Sequence, residues 1–353
     1  MIAIRNYRIY DIGREIDLDL LERDLAITHP TARTRFLRVK PKSIMIEDPP
    51  LILKLDPARM DIDGAEIEFS GIARIYVIGA ISLCFVYEDP GGAPGQLMQA
   101  ALSFVGQEGL AGAFDSYIRK LEETLAPHVR MHRIDREFFE DYTIYVTDRL
   151  DDAIDPAILL IGERTEISAQ MREEITRNTL SYTPHDLAML SWDAALFCNP
   201  EYPVDLIDLV EFANVQVLEL RYYDREMSRQ MEKMYDDIEQ ADRLWRFRKM
   251  RQYHGIMATQ MEMYAEISEI TERVNNLIKV TEDIYYARVY ATALRVLRSN
   301  LWSESVDRKI EVIQENYSML SDEVRIQHSY FLEWIIIILI ALEFGLAIWS
   351  SFG

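Results

Sequence analysis

The hydrophobic positions follow a mixed rhythm up to about residue 203, a helical rhythm from there to about 331, and then a continuous apolar run. In the first part, Leu18, Leu20, Leu21 and Leu25 recur among acids over residues 17–26, which suits a short amphipathic helix. Past Pro41 the spacing turns extended. Residues 43–47 and 51–55, on either side of Asp48-Pro49-Pro50, predict a hairpin or paired run. Residues 65–69 and 74–87, rich in Ile, Val, Phe and Tyr, predict further sheet. Asp56-Pro57 and Asp63-Gly64 punctuate this part. Residues 89–95 carry three glycines and two prolines and predict a loop, because glycine admits positive φ and proline offers no backbone donor. A helix is expected over 96–125, broken around Gly106, Gly109 and Gly112 and stopped by Pro127. Residues 142–146 and 157–161 read as short strands, 168–178 as a helix with Ser168 as N-cap, and 187–198 fits strand or helix equally. Interleaved strands and helices give an α+β domain over residues 1–203, possible as a ferredoxin-like sandwich.

Composition shifts at Asn199-Pro200-Glu201-Tyr202-Pro203. From 204 to 344 there is no proline and one glycine, Gly255, as long helices require. Leu206, Val210, Ala213, Val217, Leu220, Asp224, Met227, Met231, Met234, Ile238, Ala241 and Trp245 alternate by four and three, a heptad seam. A second seam runs Met263, Ile267, Ile270, Val274, Leu277, Thr281, Ile284, and a third Val306, Ile310, Ile313, Tyr317, Leu320, Val324, Gln327, Phe331. Three long helices joined near Gly255 and Ser299, with Ser303 as a fresh N-cap, are expected to form an antiparallel bundle or coiled-coil stalk over 204–331. Asp224 and Thr281 at seam positions would set register or oligomer state. Seams of this length are hard for one chain to bury, so a homo-oligomer is expected.

The third seam runs into residues 332–349, a segment of roughly 27 Å at ~1.5 Å per residue, close to the ~30 Å core of a bilayer. Leu332, Glu333 and Trp334 open it and Trp349 closes it, with aromatic rings where the membrane interface favours them. One C-terminal transmembrane helix is the reading; a buried core helix is the alternative, because Glu333 and Glu343 interrupt the run. Glu343 would join helices, line an ion path or reach the headgroups, and Glu333 would mark the interface. With residues 350–353 following, the bulk of the chain is expected on the side of synthesis, a direction with which Arg308, Lys309 and Arg325 agree. Stalk and span would then be one helix.

Charge narrows the functions further. A formal net charge of −21 opposes general nucleic-acid binding. Cys84 and Cys198 sit in apolar surroundings with no CxxC pair, as core residues of a reducing compartment do. Residues 1–10 lack the features of a secretion signal or transit peptide. The location expected is the bacterial cytoplasmic (inner) membrane, single-pass, with the body in the cytoplasm.

Against this acidic background, residues 243–254 are basic and aromatic. Arg243, Arg246, Arg248, Lys249 and Arg251 could meet a protein or ribosome partner or anionic lipid; alternatively they complement a helix C-terminus while Trp245 continues the seam. His128 and His132 are spaced i, i+4 without an evident third ligand, and Pro127 places them at a helix end. The glycines at 106, 109 and 112 form no phosphate-binding motif and suit a kink or close helix packing. No catalytic, cofactor-binding or metal-binding residue is assigned.

Arg308, Val312, Ile313, the Leu320 region, His328, and above all Leu332-Glu333-Trp334 with the isoleucine run and Glu343 resemble the C-terminal signature of the required-for-meiotic-nuclear-division and Sad1-interacting-factor family. The resemblance covers roughly 35 residues. It implies a membrane-anchored homo-oligomer that supports synthesis of membrane proteins, and it supplies no catalytic residues. The expected function is a tail-anchored scaffold or assembly protein. An oligomeric ion channel or transporter using Glu343 is the alternative, though no Gly-Met-Asn pore motif is present, and a membrane-tethered enzyme ranks third.

Overall fold

The computed structural model of the chain describes residues 1–13, 16–28, 36–37, 44–45, 49–62, 64–105, 108–127, 134–243, 246–276, 279–280 and 283–352. In order, its elements are β1 (Ile2–Asp11), α1 (Leu18–Thr28), β2 (Phe36–Leu37), β3 (Ile44–Met45), β4 (Leu51–Ile62), β5 (Ala65–Ile75), β6 (Ala80–Asp89), α2 (Pro94–Phe104), α3 (Glu108–Leu125), β7 (Phe139–Thr147), α4 (Pro156–Ile161), α5 (Ala169–Thr176), β8 (Thr179–Leu180), β9 (Leu187–Leu190), β10 (Ala194–Cys198), α6 (Val204–Asp242), α7 (Arg246–Asn276), β11 (Lys279–Val280), α8 (Ile284–Val296) and α9 (Ser299–Phe352). The class is α+β followed by long helices. The sheet is wider than the four strands of a ferredoxin-like sandwich: among the described residues nine strands line up as β2-β4-β5-β6-β1-β7-β10-β9-β8. Neighbours are antiparallel except β7 and β10, which run parallel.

Local chemistry accounts for most of the departures from the sequence pattern. Asp56-Pro57 does not end a strand; β4 continues through a register shift between Leu55 and Ala58, a bulge that accommodates the missing proline donor. Among the described residues of 43–47, Ile44 and Met45, the expected pairing with 51–55 does not form. β3 pairs with β11, and β4 pairs with β2 and β5. The expected strand over 157–161 is helix α4. Asp155 caps it by accepting from the amides of Ala157 and Ile158, Pro156 occupies its first turn, and Gly162 closes it at φ 71°. The ambiguous 187–198 stretch is the β9–β10 hairpin. Ser168 does cap α5, accepting from the Met171 amide at 3.2 Å. α2 ends at Phe104 and α3 starts at Glu108, two helices where the glycines suggest an interruption, but a Cβ on Gly109 or Gly112 would meet nothing within 4 Å, so those two are not close-packing positions. Gly106, His128, His132, Trp245, Leu277 and Thr281 lie outside the described residues.

Alternation along the strands assigns the two faces of the sheet. Ile2, Ile4 and Tyr10 of β1 and Phe69, Ala73 and Ile75 of β5 enter a core with Leu97 and Phe104 of α2 and Phe114 and Ile118 of α3. Arg74, between Ala73 and Ile75, points the other way and meets α6. The Tyr76 and Phe212 rings join the same contact edge-on at 5.3 Å. Every residue of α6 from 206 to 220 is buried. The seam positions Leu206, Val210, Ala213, Val217 and Leu220 are inside as expected, yet the polar faces between them are inside as well, because the sheet covers one side and α8 another. The Tyr290 hydroxyl of α8 donates to the buried Gln216 of α6 at 2.5 Å.

The chain divides into two compact units, residues 1–222 with 271–302, and residues 223–270 with 303–353. This division differs from a single helical body over 204–331, because the first part of α6 and all of α8 complete the sheet unit. In the second unit, Met234 and Ala241 of α6, Tyr253 and Ile256 of α7, and Leu320 and Val324 of α9 share a small core. α6 ends at Asp242 and α7 starts at Arg246, so Gly255 is not the joint; it sits inside α7, where helix geometry tolerates it at modest cost. Ile284, placed in the second seam, begins α8 and is 84% exposed. The break near Ser299 is present: Leu297 closes α8, Arg298 takes φ 56°, and α9 starts at Ser299, ahead of Ser303.

Candidate functional site

The apolar end of α9 has the clearest demand for something outside the chain. Leu332, Trp334, Ile335, Ile336, Ile337, Ile338, Leu339, Ile340 and Leu342 are all exposed, by 37% to 59%. Within the described residues the segment is long and apolar enough to cross a membrane, and none of it is buried. Leaving side chains of this kind in water costs roughly 1.5–3 kcal/mol each, a sum comparable with the about 5–15 kcal/mol that holds a whole domain together. Consecutive positions 334–340 cover every side of a helix, so the exposure is all-round and not a stripe. Glu333 and Glu343 are exposed at either end of this stretch, and the Trp349 side chain lies outside the described set. The inner seam of α9 is legible just before it: Val306, Ile313, Leu320 and Val324 are buried, whereas Phe331 is 45% exposed.

Apart from Arg243, the basic stretch occupies a different place from a helix C-terminus. Arg243 follows α6 and pairs with Glu239. Arg246 opens α7, and Arg248, Lys249 and Arg251 sit in its first two turns, where the helix dipole disfavours cations. Dipole complementation therefore does not explain them. Lys249 is held by Asp242 at 2.9 Å and lies 5.2 Å from the Tyr253 ring centre. The hydrogen bond with Asp242 raises its pKa despite some burial. Arg248 and Arg251 are exposed; the Arg246 side chain is outside the described set.

Beneath α6 the sheet unit holds a polar network that the heptad pattern conceals. Arg74 donates to Asp208 Oδ1 at 2.7 Å and to Glu211 Oε2 at 2.9 Å, and the Tyr76 hydroxyl donates to Glu211 Oε1 at 2.9 Å. Burial opposes the Arg74 charge, but Glu211 and Asp208 raise its pKa well above the usual value. For Asp208 burial outweighs the Arg74 pairing and the pKa rises. A turn or two further on, Glu219 is fully buried beside the buried Asp11 of β1. Burial first, and then the charge and hydrogen bond of Asp11, push the Glu219 carboxyl well above its ordinary range. On the same face Arg5 donates to the Tyr202 hydroxyl at 2.8 Å. Cys84 and Cys198 are free and buried, and burial pushes the Cys84 thiol up to about 12, which keeps it unreactive.

Two cavities accompany these clusters in the sheet unit. The smaller, of about 230 Å³, lies where β7 and β10 run parallel. It is lined by Asn6, whose Nδ2 is buried without an acceptor among the described residues, and by Asp193, whose pKa burial raises. The larger opens beside α8. No group of three or more His, Cys, Asp or Glu side chains placed to hold a metal occurs among the described residues. The sequence pattern anticipated the apolar segment and the basic stretch. It missed Arg74, Asp208, Glu211 and the Asp11–Glu219 pair; the signal available was acids spaced three, eight and eleven apart inside a proline-free helix.

A broad α+β domain carrying a sheet-covering helix, joined to long helices that end in an exposed apolar segment, defines the class. Comparison with known proteins assigns the domain: the chain belongs to the family described as "Uncharacterized protein MJ0711, N-terminal domain", which matches residues 1–204. A curated relative, "Uncharacterized protein MJ0711" of Methanocaldococcus jannaschii, is 26% identical over 225 residues, 60% of this chain and 67% of the relative. The family match ends at the first residue of α6, so the carboxylates that meet Arg74 and Asp11 lie beyond it.

Proposed function

We propose that the protein is a membrane-anchored, self-associating scaffold whose α+β domain is the working head. The all-round exposure of residues 334–340 carries this reading. A protein partner covers one stripe of a helix, whereas a bilayer covers all of it, and an all-round apolar helix outside a core suits lipid. Self-association is supported by a second apolar line on α9, Met319, Ile326 and Tyr330, exposed at spacings of seven and four while the inner seam is already occupied. The coiled-coil character of the helices, and the support of membrane-protein synthesis implied by the resemblance of residues 308–343, belong to the same proposal. Arg248 and Arg251 would give α7 a contact for an acidic partner or anionic lipid.

Alkaline extraction tests the anchor. Membranes from cells expressing the full chain should retain it at high pH, and a chain ending at Phe331 should be released. Release of the full chain would overturn the anchor, and sedimentation as a monomer in mild detergent would overturn self-association.

A further inference from the structure

The larger cavity, about 550 Å³, is formed in the sheet unit by the turn after β8, the 199–203 turn and the first turn of α8. Tyr182, Tyr285 and Tyr286 line it. The Tyr182 and Tyr285 ring centres are 5.4 Å apart with the rings 44° from parallel, and those of Tyr285 and Tyr286 are 5.7 Å apart at 65°. An inclined or edge-on pair covers at most one face of one ring, so π surface remains for a guest. Tyr182 is 72% exposed, an unusual position for a large aromatic side chain with no other evident use.

Apart from His185, the ionisable groups that carry charge in the lining are acids. Asp186, Glu201 and Asp283 contribute carboxylates, and no Lys or Arg stands among the described residues that line the cavity. Two of the three acids also shape the site. Asp186 accepts from the amides of Tyr182 and Thr183 at 2.7 and 2.9 Å, and Asp283 caps α8 by accepting from the Tyr285 amide at 2.9 Å. Backbone amides fix these carboxylates without neutralising them. The Tyr285 hydroxyl is buried without an acceptor among the described residues, and burial together with the Asp186 charge raises its pKa to about 12. Aromatic faces and fixed carboxylates with no counter-cation attract a large, weakly hydrated cation more than a metal ion, whose hydration shell the rings cannot replace.

We propose that this cavity binds an alkylated ammonium ion of the trimethylammonium type, held against the faces of Tyr182, Tyr285 and Tyr286 and drawn in by Asp186, Glu201 and Asp283. The volume exceeds one ammonium head and leaves room for the chain that bears it. Its source is a free small molecule or a lipid headgroup.

The test is a titration of the full chain in a maltoside detergent with choline, with its neutral carbon analogue 3,3-dimethylbutan-1-ol, and with phosphocholine, followed by calorimetry. Choline should bind saturably, and the neutral alcohol about ten-fold more weakly or worse. Tyr182→Ala, a change at an exposed site that cannot collapse the core, should weaken choline by about ten-fold, and Tyr182→Phe should keep the affinity within about two-fold, since the ring face and not the hydroxyl makes the contact. Tighter binding of phosphocholine than choline assigns the site to lipid headgroups, and the reverse to free ammonium ions. Equal binding of the alcohol, indifference to Tyr182→Ala, or no saturable choline binding would overturn the proposal, and none of these outcomes bears on membrane anchoring.

Discussion

Arg74 on β5 and Glu211 on α6 are 2.9 Å apart across the sheet–helix interface, with Asp208 at 2.7 Å on the same guanidinium nitrogen. This interface sets where α6 lies on the sheet, because the inward cation of β5 must meet two inward acids one helical turn apart on α6. Removing Arg74 leaves two buried acids without their cation. Arg74→Met is expected to cost about 3–5 kcal/mol, and combining it with Asp208→Leu and Glu211→Leu should restore most of the loss. Urea unfolding of the full chain in mild detergent reads both. A single variant as stable as the unaltered chain would show that the network is not structural.

The Asp11–Glu219 pair gives a pH dependence with a defined sign. Glu219 has a raised pKa in the folded state and returns to about 4.3 when unfolded. Between those values the folded chain holds one more proton than the unfolded chain, so this group lowers stability as pH rises. Glu219→Gln, which keeps the shape and removes the titration, should flatten the loss from pH 5 to pH 8. Melting curves of the two proteins that stay parallel across this range would contradict the raised Glu219 pKa.

Gly255 lies in the interior of α7, and a Cβ there would meet nothing within 4 Å. Gly255→Ala should therefore raise stability by about 0.5–1 kcal/mol through helix propensity alone. A loss of stability would mean that this surface is covered by another molecule.

Arg248 and Arg251 stand at the start of α7, where the dipole gives them no support. The double change Arg248→Glu and Arg251→Glu is expected to leave the melting temperature nearly unchanged and to weaken capture of anionic vesicles by the full chain, with a difference that shrinks at high salt. Unaltered capture would remove this stretch from the contact surface.

Much of the fold could be read from periodicity and punctuation, and the failures have separable causes. Ser168 and the apolar end of α9 were legible because their signals are local. Residues 157–161 were misread because an apolar run of five fits strand or helix, and only Asp155, Pro156 and Gly162 decide for helix. Gly255 was misread as a joint because glycine disfavours helices without forbidding them. The first seam was correct at Leu206, Val210, Ala213, Val217 and Leu220 and silent about Asp208, Glu211 and Glu219: a heptad pattern locates one buried stripe and cannot reveal that the sheet buries the rest. The tyrosine cavity was invisible, since Tyr182 and Tyr285 are brought together by tertiary packing alone.

The central claim is that lipid surrounds the end of α9. Single cysteines placed at each position from Leu332 to Leu342, against native cysteines that are buried, can carry a nitroxide label in reconstituted bilayers, and the accessibility of each label to oxygen and to a water-soluble nickel complex gives its surroundings. The account expects high oxygen and low nickel accessibility at consecutive positions from 334 to 340, with no helical period. A 3.6-residue oscillation, or nickel accessibility throughout, would contradict it, the first by showing a protein-covered stripe and the second by showing water.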